Sequence, residues 1–221
     1  MSLYRLLVRI PLVGTILYIA NCYVFGGDRE AVYRFAPLQS WFKVLLAPFV
    51  ISLILTSAIL WPMIKGFALN HELTTRNLSA FAKTPGDLIV SVVPSLLGFG
   101  IGVYALIFAL AGPIVRDLQN KIEELRDAGH KTQGSALVIN SDLAYPLTVL
   151  VVVLSLGVFQ KNFESKELII VSWTAFWYAL VVTFEVIGVL FGLGDHSLLE
   201  KLQATHTEDA LSNTRNDQPL K

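Results

Sequence analysis

Glu185 stands well inside a long apolar run, at a depth where no other acidic residue of the chain falls. An ionisable side chain at membrane depth is costly. It ordinarily faces a bundle interior or water, where it binds an ion, relays a proton or is held by hydrogen bonds. On a helix its neighbours at i−11, i−7, i−4, i+3 and i+7 are Thr174, Tyr178, Val181, Gly188 and Gly192. Four of these five are polar or glycine, and Gly188 with Gly192 makes a small-xxx-small pair that lets another backbone approach. Glu185 and Tyr178 are therefore the candidate ion or proton site. The competing reading is structural, an interhelical hydrogen bond or a carboxyl reaching the headgroups. Glu185 lies seven residues from Gly192, roughly 10 Å along a helix, which is deep for a short side chain to reach the surface.

A second pattern concerns packing. Ser91, Ser95, Gly98, Gly102, Ala105, Ala109 and Gly112 follow one another at spacings of four and three, with Val, Leu, Ile, Phe and Tyr between them. On a helix all seven fall on one stripe, and Gly98 with Gly102 repeats the small-xxx-small motif. This run and the one carrying Glu185 are the expected close helix pair, within one chain or between copies.

Enzymatic signatures are absent. There is no nucleophile elbow, phosphate loop, dinucleotide fingerprint or zinc motif, so the chain reads as a non-enzyme that needs no cofactor. The glycines at 98, 100 and 102 lie inside an apolar run rather than after a strand, so they cradle no phosphate. His196 and His206 have no cysteine near them, and His71-Glu72 lacks a second histidine, so no metal site is expected. Cys22 is the single cysteine and excludes an intrachain disulfide. It follows a basic start and an apolar stretch, as a lipoprotein cysteine would, but Asn21 occupies the position where Gly or Ala is preferred. The sequon Asn77-Leu78-Ser79 falls on an outer loop and matters only in a eukaryotic secretory membrane.

The elements that must carry these residues are membrane helices. The 221 residues are 54% hydrophobic and 15% charged, against about 25% charged in a soluble domain. Four runs are long enough to span a bilayer core: Val44 to Ile64, Leu88 to Val115, Leu143 to Phe159 with an earlier start allowed, and Leu168 to Phe191. Trp41, Phe42 and Trp61 bracket the first like interfacial belts. Pro94 and Pro146 are possible breaks in the second and third. A fifth run, Ile10 to Phe25, is short and follows Arg5 and Arg9, which suits an interfacial helix. The fold class is thus all-α: an integral membrane bundle of four transmembrane helices with an N-terminal interfacial amphipathic segment.

Three regions follow: a membrane-surface arm over residues 1–42, a transmembrane domain over 43–193, and a disordered tail over 194–221. In the arm, Asp28 is a candidate cap, Glu30 and Arg34 an i,i+4 pair, and Pro37 a stop. The second run continues past the bilayer as an amphipathic helix with Ile114, Leu118, Ile122 and Leu125 on one stripe. Across a turn, Asn140, Ser141 and Asp142 offer caps for the third span. The hairpin over 114–142 either buries that stripe on itself or docks a soluble cytoplasmic protein.

With four spans, twelve of the 17 Lys and Arg fall on the side of both termini and the middle loop. The positive-inside rule puts that side in the cytoplasm, with a plasma (inner) membrane as the expected residence. Zero formal net charge gives no nucleic-acid footprint. The partners expected are the lipid bilayer and further copies of the chain. The leading functional reading is a multi-pass protein that self-associates into a channel-like or signalling assembly. The alternatives are a membrane anchor or sensor subunit recruiting a soluble partner, and a proton-coupled transporter subunit using Glu185.

Overall fold

The computed structural model describes residues 3–70, 75–128, 137–163 and 165–216. The described residues contain helices and no strand: α1 (Leu3–Leu7), α2 (Val13–Val24), a 3-10 turn (Arg29–Val32), α3 (Leu38–Ile59), α4 (Trp61–Asn70), α5 (Ala80–Lys83), α6 (Pro85–Asp127), α7 (Leu137–Asn162) and α8 (Lys166–Asn216). Four segments are long and apolar enough to cross a membrane: Leu38–Ile59, Pro85–Ile107, Val138–Asn162 and Lys166–Gly192. The protein is an all-α bundle of four such helices with a shorter apolar helix before them.

The bundle is built from neighbouring pairs. Helix α7 lies between α6 and α8, and α3 packs on the other flank of α8. The α6–α7 pair is antiparallel. Gly86 meets Gly157 and Gln160, Gly100 meets Leu147, and Tyr104 reaches Asn140, so rising numbers on one helix match falling numbers on the other. The core these two helices share with α8 holds Ile89, Val93, Leu150, Val153, Ile169, Trp173, Phe176 and Ala179. Helix α3 buries Pro48, Ser52 and Thr56, one turn apart each. Their small side chains let α3 sit close to its partner, as membrane interfaces favour. The Ser52 hydroxyl is satisfied within the helix by the Pro48 carbonyl at 2.6 Å.

One end of the bundle is closed by α5 and the residues beside it. Ser79 caps α5 through the Ala82 amide, and the Ala82 carbonyl accepts the Trp173 indole N–H at 2.9 Å. Buried Gln160 accepts the Gly86 amide at 2.7 Å and donates to the Lys83 carbonyl. The opposite end carries α1, α2 and the 3-10 turn.

Several boundaries differ from the sequence reading. The first span starts earlier and stops at Ile59, after which Leu60 breaks the helix and α4 begins. The third starts at Leu137, so Asn140, Ser141 and Asp142 lie inside α7 and cap nothing; Ser141 Oγ instead donates back to the Val138 carbonyl at 2.9 Å. Pro94 and Pro146 interrupt neither helix, because a membrane bundle re-satisfies the freed backbone group locally. Helix α8 runs to Asn216, where a disordered tail was expected. Between Asp195 and Asn216 there is no glycine or proline to stop it. The turn expected between the second and third runs lies mainly outside the described residues.

Candidate functional site

The arm end of the bundle concentrates the polar chemistry. Its organising residue is Asn21, fully buried on α2. Its amide nitrogen donates to the carbonyls of Ala31 at 3.0 Å and Arg34 at 2.9 Å, and its oxygen accepts the Ala36 amide at 2.8 Å. Buried Tyr4 of α1 donates to the same Ala31 carbonyl and packs edge-on against Phe35. Burial pushes the Tyr4 phenol above its usual range, so it stays a donor. One asparagine thus satisfies three backbone groups of a segment that has no regular ladder of its own. Asp28 accepts the Glu30 amide as the cap of the 3-10 turn, and Arg34 pairs with Glu30, both as the sequence indicates.

Two glycines after α2 turn the chain back. Gly26 and Gly27 have φ of 59° and 74°, a region that side-chain-bearing residues avoid. Gly27 also lies so close to α7 that a Cβ would stand 2.6 Å from Val138 Cα. The same helix brings Tyr23 onto α7 and α8. Its ring stacks on Tyr145, centroids 4.1 Å apart and planes 9° from parallel, and its hydroxyl donates to Glu185. Burial, then the bond to Glu185, pushes the Tyr23 phenol above its usual range, which makes the phenol the donor and the carboxyl the acceptor. Tyr145 and Tyr178 hold each other hydroxyl to hydroxyl at 2.7 Å.

Glu185 and Tyr178 therefore lie in one neighbourhood but are not bonded to each other; each has a tyrosine partner that the sequence did not single out. The pairing of Tyr145 with Tyr178 sets Glu185, two turns further along α8, beside the first turns of α7. Asp142 lies on the same stretch of α7, one turn before Tyr145. The Glu185 carboxyl is exposed in the single chain apart from Tyr23. This cluster ties three helices together. It holds no nucleophile with a base, and no group of three His, Cys, Asp or Glu suited to a metal occurs among the described residues.

If the Tyr23–Glu185 bond is a clasp rather than a proton path, Tyr23→Phe and Glu185→Gln separate the two. Tyr23→Phe removes the donor, about 1 kcal/mol of docking, and is expected to raise the maleimide labelling rate of Cys22 several-fold. Glu185→Gln keeps an acceptor oxygen and is expected to leave that rate near wild type. A relay carboxyl would give the opposite ranking in proton flux.

The small-residue stripe faces outward. Ser91, Ser95, Gly98, Gly102 and Ala105 are all exposed, and no atom lies within 4 Å of a Cβ built on Gly98 or Gly102. Gly188 and Gly192 are open in the same way. Spans two and four are not the close pair within the chain; α6 pairs with α7. The glycines that permit that approach are Gly86, Gly100 and Gly157, none of them on the stripe. The side chains of Ala109, Gly112, Ile114, Leu118, Ile122 and Leu125 lie outside the described residues. Comparison with protein-family models, with curated proteins and with solved structures finds no match for this chain.

Proposed function

We propose that this multi-pass membrane protein is a self-associating subunit whose copies build a channel-like or signalling assembly. The observation that carries the reading is the open face of α6. Along three turns and more the helix presents serine, glycine and alanine outward, with the Gly98 and Gly102 positions uncovered. Against acyl chains a small residue gains little, whereas against another helix it allows close backbone contact and weak Cα–H hydrogen bonds. The open Gly188–Gly192 pair on α8 gives a second surface of the same kind. Glu185 is clasped by Tyr23 in each chain, so a conducting path in this reading forms between copies. The basic bias of the chain supports placing both termini on the cytoplasmic side of a plasma-type membrane.

Gly98→Leu with Gly102→Leu tests the reading. The purified double variant is expected to fall to a single-chain mass in detergent or nanodiscs, while its thermal unfolding midpoint stays at or above the wild-type subunit's own, because both positions are exposed and a Cβ at either meets no neighbouring element within 4 Å. An unchanged assembly mass, or a wild type that is itself a monomer, would retire it.

A further inference from the structure

We infer that the corner between α1 and α2 is an anchor that inserts into a leaflet and reads anionic phospholipid headgroups. The corner is a built feature. Leu12 holds φ 66° and ψ −62° and alone among the described non-glycine residues has positive φ. Such a backbone is strained for a branched side chain and persists only where surrounding structure enforces it. The enforcement is visible. The Val13 amide bonds the Pro11 carbonyl at 2.8 Å, and the Gly14 amide bonds the Ile10 carbonyl at 2.7 Å. Gly14 is buried so tightly on Val8 that a Cβ would stand 2.6 Å from the Val8 carbonyl carbon.

The result of this strain is to hold an apolar residue out. Leu12 is 73% exposed, and Leu6, Ile10 and Val13 beside it are exposed as well. Strain that exposes leucine has no reward in water. It is rewarded if the tip enters hydrocarbon.

The position of α2 fits that occupant. Helix α2 and its following turn meet α7 near its start: Gly27 abuts Val138, Tyr18 and Cys22 share a pocket with Asn140, Ser141 and Ala144, and Tyr23 stacks on Tyr145. These α7 residues cover eight positions, about 10 Å of helix, whereas α2 itself is about 18 Å long. Helix α2 therefore meets α7 at the start of its membrane segment, Val138–Asn162, and its first turn and the corner extend beyond these contacts. The start of a membrane segment is where a bilayer has its interface. Charge selects the headgroup. The first 27 residues contain Arg5 and Arg9 and no acidic residue, and Arg9 is exposed beside the apolar tip. An apolar wedge on a segment whose only charges are basic suits phosphatidylglycerol or phosphatidylserine rather than a neutral lipid.

This inference does not depend on self-association and has its own test. In the full chain, Cys22→Ser with Leu12→Cys places one nitroxide at the tip. In vesicles of phosphatidylcholine and phosphatidylglycerol, the label is expected to relax mainly with oxygen and little with a water-soluble nickel chelate. Nickel-dominated relaxation would overturn insertion. Separately, Arg5→Gln with Arg9→Gln is expected to reduce the preference for phosphatidylglycerol over phosphatidylcholine by about fivefold per arginine. An unchanged preference would overturn the headgroup part. Every substituted site except Cys22 is at the surface or near the chain start, and the unfolding midpoint of each variant checks that the bundle stands.

Discussion

Asn21→Leu is expected to undock the N-terminal arm while leaving the four-helix bundle folded. Leucine keeps the size of asparagine and strips its hydrogen-bonding ends. The Arg34 carbonyl and the Ala36 amide then lose their partner, and the Ala31 carbonyl keeps only Tyr4. Each buried polar group left unpaired costs about 1–3 kcal/mol, so the substitution removes about 3–5 kcal/mol from a segment of some 35 residues with little core of its own. The loss is local because no bundle core residue depends on Asn21. Limited proteolysis checks it. Cleavage between Asp28 and Pro37 is expected to accelerate by two orders of magnitude or more, with Cys22 labelling rising alongside, while the fluorescence-monitored unfolding of the Trp173 core stays close to wild type. Asn21→Asp sharpens the point. It can still accept the Ala36 amide but turns a carboxylate oxygen on two carbonyls, so it is expected to undock the arm at least as fully. Wild-type protection in either variant would show that Asn21 is dispensable.

That residue illustrates what sequence conveys and what it does not. The spans were legible because a bilayer-crossing helix is a bulk property, some 20 apolar residues in a row. Local chemistry was legible too, since Asp28, Glu30 and Arg34 act on neighbours within four residues; Pro37 does not end the short helix, which stops at Val32 and leaves Pro37 directly before α3. Asn21 acts on carbonyls and amides 10–15 residues away that carry no side-chain signature. What was available was a constraint: an asparagine within an apolar helix has to be satisfied somewhere.

The α6 stripe shows a second limit. Periodicity identifies a face but not which way it points. The inward residues Ile89, Val93 and Gly100 recur at helical spacing just as Ser91, Ser95 and Gly102 do. The two sets differ by two positions, which is 200° around a helix. Small residues drew attention to the outward set, while the inward set was masked by its bulk. The isolated Gly157 had no small partner on its own helix to mark it. Its partner is Ile89 of another helix, which only the fold brings near. Glu185 stands out in the sequence as an acidic residue in an apolar run, but its partner Tyr23 is 162 residues away.

Gly157 gives a second large expected effect, this one inside the bundle. A methyl group there would stand 2.8 Å from Ile89 Cβ and closer still to its Cγ2. Ile89 is fully buried in the core shared with Val93, Leu150 and Trp173, so it has nowhere to move. One turn away the same seam is fixed by Gly86, whose own Cβ would meet the Gly157 carbonyl at 2.6 Å, and by the Gln160 bond to the Gly86 amide. Helices α6 and α7 cannot shift apart without losing that bond. Gly157→Ala is therefore expected to cost about 2–3 kcal/mol by overpacking, although alanine is the better helix former by about 1 kcal/mol. Gly98→Ala provides the contrast: with open space around it, the same change is expected to be neutral or slightly stabilising in the isolated subunit. The decisive measurement is a double-mutant cycle. Ile89→Ala alone leaves a cavity and destabilises by about 2–4 kcal/mol, but it removes Cγ2, the atom that blocks residue 157. Combined with Gly157→Ala, the two methyl-sized groups share the space that isoleucine filled alone. The pair is expected to be more stable than the sum of the single losses by about 1–2 kcal/mol, read from unfolding midpoints in one detergent. Strict additivity would mean that α6 and α7 do not meet at these residues, and the antiparallel register drawn through Gly86, Gly100 and Tyr104 would fall with it.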